Sequence, residues 1–203
     1  MRIISGIFRG RRLQGAPDRV LRPTSDRLKE TLFNILGSAI QGATVLDGFA
    51  GSGAIGLEAL SRGASEVVFI ESDQIAVRLI RKNLEMCGVT SGYRILQVDV
   101  FTALRSLARA EFRADIVFVD PPYRWGPYRD LMATLYATGI ASGATHVVLE
   151  HHRKASVPEA VPGLRRARLV RQSDKCLSFY LADENRNLTA QTAKTSKSTE
   201  ADA

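Results

Sequence analysis

Five short runs of almost uninterrupted apolar residues recur through the chain, in "ATVLDGFA", "EVVFIE", "YRILQVD", "ADIVFVD" and "THVVLE". Runs this short and this apolar suit strands buried on both faces. Between them the period changes. Ile75, Leu79, Ile80, Leu84 and Cys87 share one helical face between Asp73 and Cys87, and Gly88 ends that helix. "GAIGLEALSRGA", "VFTALRSLARA" and residues 127–139 read as further helices. Alternation at this spacing predicts an α/β fold, with a mostly parallel central sheet and helices on both faces.

The two ends depart from this rhythm. "RPTSDRLKETLFNILGSAI" predicts a helix that Thr24, Ser25 or Asp26 can cap, with Leu28, Leu32, Leu36 and Ile40 in one stripe. "RARLVRQSDKCLSFYLA" predicts an antiparallel C-terminal strand pair turning around Ser173–Lys175. From Asp183 onward there is one leucine and no aromatic residue, so the segment cannot offset its ordering entropy and is predicted to be disordered. The expected divisions are 1–41, 42–182 and a tail at 183–203.

Charge adds a partner class. The net charge is +7, and residues 1–30 hold eight Arg or Lys against three acids. Arg165, Arg166, Arg168, Arg171 and Lys175 form a second cluster near the end of the fold. Guanidinium groups pair bidentately with phosphate oxygens, so nucleic acid is the favoured partner. No apolar run approaches membrane-spanning length, and the first residues lack the core of a signal peptide. Cys87 and Cys176 form no CxxC pair and read as reduced, packed thiols. A cytoplasmic monomer is expected.

Candidate chemistry collects where the strands end. "VDPPY" follows one apolar run with Asp120, Pro121, Pro122 and Tyr123. Neither proline can extend a ladder or enter a helix interior, so the strand ends in a stiff corner carrying an acid, a free carbonyl and a ring. "LDGFAGSGAIG" carries Gly51-x-Gly53-x-x-Gly56 between a strand and a helix, and Glu71 lies 20 residues after Gly51. Alone, that pair also fits a nicotinamide dehydrogenase. Asp47 argues otherwise, because a carboxylate there would repel a pyrophosphate in the same crevice. S-adenosylmethionine has no phosphate and carries cationic ammonium and sulfonium groups that Asp47 complements, directly or through water. Asp99, ending the third strand, offers an acceptor for an adenine amine.

These segments resemble a known family. "VLDGFAGSGAIGLEALSRGA" with "VFVDPPY", and with "RIISGIFRGRRL" and "LRPTSDRLKETLFNIL" before them, is similar to the bacterial 16S rRNA guanine-N2 methyltransferases of the RsmD type; "KCLSFYL" matches more loosely. The resemblance runs from about Arg2 to Leu181. It implies a Rossmann-like class I methyltransferase fold at 42–182 and transfer of a methyl group from S-adenosylmethionine to one guanine of 16S rRNA, free or in an assembling small subunit. It also implies a cofactor site at Asp47, Phe49, Ala50, Gly51, Ser52, Gly53, Glu71, Ser72, Asp99 and Val100. The catalytic motif falls on Asp120, Pro121, Pro122 and Tyr123. Residues 1–41 become an RNA-binding segment and helix packed on the fold, with Arg9, Arg11, Arg12, Arg22, Arg27 and Thr24 as contacts. Gly48 departs from the family pattern, where a larger apolar residue is usual, and is expected to loosen the loop.

Three other readings compete. A DNA adenine-N6 or cytosine-N4 methyltransferase would use the same corner, but the chain has little room for a sequence-reading domain. A protein-glutamine methyltransferase normally has Asn in place of Asp120. A non-catalytic nucleic-acid-binding protein would leave the three strand-end acids accidental. His146, His151 and His152 show no metal-ligand spacing and read as structural or surface residues.

Overall fold

The computed structural model describes residues 1–15, 26–122 and 125–182. The chain runs α1 (Asp26–Leu36), a 3-10 turn (Gly37–Ile40), β1 (Thr44–Gly48), α2 (Ala54–Ser61), β2 (Glu66–Ile70), α3 (Gln74–Met86) and β3 (Tyr93–Leu96). It continues α4 (Val100–Arg109), β4 (Ile116–Val119), α5 (Tyr128–Ala137), β5 (His146–His152), β6 (Ala160–Val161), β7 (Leu164–Gln172) and β8 (Lys175–Ala182). One eight-stranded sheet has the order β3-β2-β1-β4-β5-β8-β7-β6. β1 to β5 are parallel, while β8 pairs antiparallel with both β5 and β7.

Alternation along each strand divides the core into two layers. Val45, Phe69, Phe118 and Val148 face α1, α2 and α3, with Leu28, Leu32, Leu57, Ile80 and Leu84 packed on them. Leu46, Val68, Val117 and Val147 face α4 and α5, against Leu104, Leu107, Leu131 and Leu135. Each such side chain, fully buried, contributes roughly 1.5–3 kcal/mol. Ile3 and Leu13 join the first layer, so the N-terminal segment shares the core of the sheet. No described helix is long and apolar enough to cross a membrane.

Several expectations shift. The helix expected to continue to Ile40 ends at Leu36, because Gly37 takes a positive φ of 54° and a 3-10 turn follows. The strand expected to reach Asp99 stops at Leu96, and Asp99 instead caps α4. On α3 the buried positions are Val77, Ile80, Asn83 and Leu84, whereas Ile75 is 57% exposed. The antiparallel C-terminal pair is present as β7 and β8, and both cysteines are buried, free thiols. The tail at 183–203 and the caps Thr24 and Ser25 lie outside the described residues.

Residues 1–13 form a small hairpin, bridged at Arg2 and Arg12, that lies along α2. The amides of Ile4 and Ser5 donate to the Glu58 carboxylate (2.8 and 3.0 Å), and Phe8 N–H donates to Ser61 Oγ (2.9 Å). Glu58 is fully buried and is balanced by Lys29 at 3.3 Å and Arg62 at 2.8 Å. At Gly6 a Cβ would stand 1.7 Å from the Ser61 carbonyl oxygen, so only glycine allows this docking.

Candidate active site at the carboxyl edge of the sheet

The tips of β1, β2 and β4 bring the sequence-derived acids to one edge. Beyond β1 the chain turns sharply, with Phe49, Gly51 and Gly53 at φ of 64°, 55° and 76°. The turn is pinned from both sides. Ala50 N–H donates to the Ile70 carbonyl (2.9 Å), and Gly51 N–H donates to Glu71 Oε2 (2.8 Å). A Cβ on Gly56 would lie 2.2 Å from the Phe69 ring, so this glycine lets α2 settle onto β2. Gly48 is buried in the ladder, and a Cβ there would meet Val119 Cγ1 at 2.9 Å. The expected loosening is therefore not found, because the Val119 side chain fills that space.

Asp47 is only 2% exposed, and its Oδ2 accepts the Gly56 N–H at 2.9 Å. Burial pushes its pKa up to about 7, the Gly56 amide opposes this, and the charge of Glu71 adds to the rise. Asp47 thus braces the loop from behind. Glu71 is half-buried, with Oε2 on Gly51 and Oε1 accepting the Asp73 N–H (2.9 Å). Each oxygen retains a second lone pair for a ligand hydroxyl. Ser72, next along, is exposed, as is Asp99, whose Oδ1 accepts the Thr102 N–H (3.0 Å). Hydrogen bonds from Thr102 hold the Asp99 carboxyl below its ordinary range. Val100 is buried under Asp99, and Ala50 and Ser52 complete the loop.

Asp120 is half-buried at the tip of β4, where its N–H reaches the Gly48 carbonyl (3.3 Å). Burial raises its pKa well above the carboxylate range; the charges of Glu150 and Asp47 raise it further, and Lys175 opposes them. Pro121 is buried and Pro122 exposed, and the Pro122 carbonyl accepts the Trp125 N–H (2.7 Å). Tyr123 lies outside the described residues.

Two features of this edge were not read from the sequence. Trp125 packs against Phe49 (5.2 Å, edge-on), Phe101 (6.2 Å, stacked) and Tyr128 (5.5 Å, edge-on), forming an aromatic wall beside the loop and the corner. Glu150 on β5, 1% exposed, pairs with Lys175 on β8. The available signals were the single tryptophan two residues past the corner, and an acid ending an apolar run. His151, by contrast, is structural: it is buried and its Nε2 meets Ser178 Oγ at 2.9 Å.

The proposed RNA contacts are dispersed. Arg9 is exposed in the hairpin tip, which lies along α2 away from the glycine loop. Arg11 donates to the Met86 carbonyl at the end of α3 (2.8 Å) and lies over the Phe8 ring. Arg12 is exposed opposite Arg2, and Arg27 is exposed on the first turn of α1. Arg22 and Thr24 lie outside the described residues. A hollow of about 490 Å³ between the hairpin tip and the 3-10 turn contains none of the candidate cofactor or catalytic residues.

Comparison with known proteins follows the same outline. Residues 1–181 match the family model described as "Conserved hypothetical protein 95". The chain is 39% identical to ribosomal RNA small subunit methyltransferase D of Escherichia coli (strain K12), over 78% of each protein. It is 35% identical to a Bacillus subtilis protein assigned as an rRNA methyltransferase, over 81% of this chain and 89% of that one. A solved Escherichia coli structure, assigned as a methyltransferase, superposes with a TM-score of 0.79 at 35% identity, covering 90% of this chain and 97% of the other.

Proposed function

Because the chain belongs to the Conserved hypothetical protein 95 family, to which the small-subunit rRNA methyltransferase D type corresponds, we propose that it methylates a guanine of 16S rRNA. The methyl donor is S-adenosylmethionine and the acceptor is the exocyclic N2 amine. The proposed setting is the cytoplasm, with the enzyme acting as a monomer on a small subunit during assembly. One observation carries the proposal: the Asp120 corner, the pinned glycine loop and Glu71 converge on one acid-rich edge.

The residues present fit this cofactor. Glu150 is balanced by Lys175, and a cation at this edge relieves the burial of Asp47 and Asp120 by favouring their ionised forms, whereas a pyrophosphate beside Glu71 would oppose it. Glu71 would hold the ribose hydroxyls, Asp99 and Val100 would border the adenine, and the glycine loop would cradle the methionine portion. Bound there, the cofactor supplies a methyl group on sulfonium sulfur.

Guanine N2 is a weak nucleophile because its lone pair is delocalised into the ring. A base in structured RNA must also leave its stack, and an aromatic face can receive it. Tyr123 is assigned that face. Asp120 and the Pro121 carbonyl accept hydrogen bonds from the two amine hydrogens, which orients the nitrogen and favours its pyramidal form as positive charge develops. The prolines fix both acceptors in advance, so little reorganisation is needed at the moment of transfer. The product amine is acidic enough to lose its proton to Asp120 or to water.

The test is transfer of labelled methyl to free 16S rRNA, to assembled small subunits and to DNA. Label in either RNA substrate and none in DNA is the expected pattern; label only in DNA contradicts it.

Two further outcomes are expected. The chain has one tryptophan, and Trp125 stands beside Phe49 and Phe101 at the edge of the site. Titration with S-adenosylmethionine should therefore change its fluorescence and saturate at the calorimetric Kd. Emission that stays constant while calorimetry shows binding would displace the cofactor from this wall. The second outcome concerns pH. Asp47 titrates near 7, and Asp120 is also raised. A bound cation lowers both pKa values, so binding releases protons and affinity rises with pH up to about 7. Above that value Asp47 is ionised beforehand and its share of the rise levels off. S-adenosylhomocysteine, which lacks the sulfonium charge, should show a shallower rise; a falling affinity for the donor over this window would contradict the assignment.

A further inference from the structure

β4 ends at Val119, level with Leu149 on β5. β5 continues for Glu150, His151 and His152, paired with Leu177, Cys176 and Lys175 of β8. Three residues of extended chain form a wall roughly 10 Å high beside the Asp120 corner. Its crest consists of two turns tied together, because Arg153 N–H, just past β5, donates to the Asp174 carbonyl in the β7–β8 turn (2.8 Å). Arg153, Lys154 and Arg171 are exposed on this crest, and Lys175 on its inner side pairs with buried Glu150. Asp174 is the one acid in the two turns. The N-terminal hairpin tip, in contrast, lies at the far end of α2, where Ile7 N–H donates to the Ser61 carbonyl.

We propose that the crest formed by Arg153, Lys154 and Arg171 is a second RNA-binding surface, gripping the phosphates that flank the guanine entering beside Asp120. The proposal rests on the RNA methylation proposed above. A base drawn out of its stack brings its own phosphodiester backbone to the rim of the site, and a rim of cations positions that backbone without reading sequence. Guanidinium groups at 153 and 171 suit bidentate contact with phosphate, and Lys154 adds a point charge. The crest begins at β5, one strand from β4, and reaches Arg171 on β7, three strands from it, a lateral span of roughly 5–14 Å that the nucleotides next to the target can follow. The folded backbone of the turns does not depend on these side chains, since the bond that joins them is made by the main chain of Arg153.

The experiment compares the full-length wild type with two triple variants. One is Arg153→Ala/Lys154→Ala/Arg171→Ala. The other removes equal charge from the exposed side of α3, as Arg78→Ala/Arg81→Ala/Lys82→Ala. Equilibrium binding to a 16S rRNA transcript is measured across a salt series, together with KM for RNA, cofactor affinity by calorimetry and melting temperature. Loss of three phosphate contacts should reduce the log–log salt slope by about 2 and raise KM for RNA by on the order of tenfold. Cofactor affinity and melting temperature should be unchanged, Arg153→Lys/Arg171→Lys should recover much of the slope, and the α3 variant should match the wild type. An unchanged slope in the crest variant, or an equal fall in the α3 variant, overturns the crest while wild-type methylation still stands. If the wild type methylates no RNA, the function proposed above fails, and the slopes still report where RNA binds.

Discussion

Asp120→Ala is expected to lower the single-turnover rate of methyl transfer by about 10²–10³, the usual cost of removing one preorganised group that meets charge developing in the transition state. The structure gives the reason for preorganisation. The Asp120 amide is joined to Gly48, Pro121 is buried, and the Pro122 carbonyl is held by the Trp125 N–H. Burial, with the like charges of Glu150 and Asp47 added and Lys175 opposing, holds the carboxyl pKa up in the free protein. A cation brought to the edge favours its ionised, accepting form, so the acceptor becomes fully competent when the donor is bound. Cofactor affinity should stay within a few-fold of wild type in Asp120→Ala. Asp120→Asn, which keeps a carbonyl acceptor but no charge, should retain more activity than the alanine variant. A folded Asp120→Ala enzyme with near wild-type single-turnover rate would remove the corner from the chemistry.

Glu71→Ala should weaken S-adenosylmethionine binding roughly tenfold to a hundredfold, as expected for losing a charge-assisted hydrogen bond worth about 1.5–3 kcal/mol. Two effects combine here. The ribose loses its acceptor, and the Gly51 amide loses the carboxylate that pins the loop at 2.8 Å. Glu71→Gln separates them. Its side-chain oxygen can still accept from Gly51, so the loop stays pinned there, while the bond from the Asp73 N–H is lost and the charged contact to ribose is weakened. Intermediate affinity for Gln is the expected calorimetric result; wild-type affinity in a folded Glu71→Ala protein would move the ribose elsewhere.

Periodicity made the alternation of strands and helices legible, because strands buried on both faces are almost purely apolar, as in "ADIVFV". The acids at the strand tips were legible for a related reason: each interrupts an apolar run where the chain leaves the sheet. Their division of labour was not. Nothing in "VLDG" says that Asp47 turns back to Gly56 and is buried, because that depends on how α2 returns over β1. Nor could the aromatic wall be found by spacing, since Phe49 follows β1, Phe101 lies in the first turn of α4 and Trp125 precedes α5. Gly48 was misjudged for want of its neighbour across the ladder, Val119. Concentrated arginine at the N-terminus suggested a nucleic-acid contact, but its position was not legible: the hairpin carries Arg9 and Arg11 along α2, towards the end of α3.

The most direct test of the central claim is the identity of the modified nucleoside. Wild-type protein is incubated with labelled S-adenosylmethionine and 16S rRNA, free or in small subunits, and the RNA is digested to nucleosides. Label in N2-methylguanosine, nearly absent with Asp120→Ala, is the result expected. Label in N6-methyladenosine or N4-methylcytosine, or methyl transfer that survives intact in the Asp120→Ala enzyme, would contradict it.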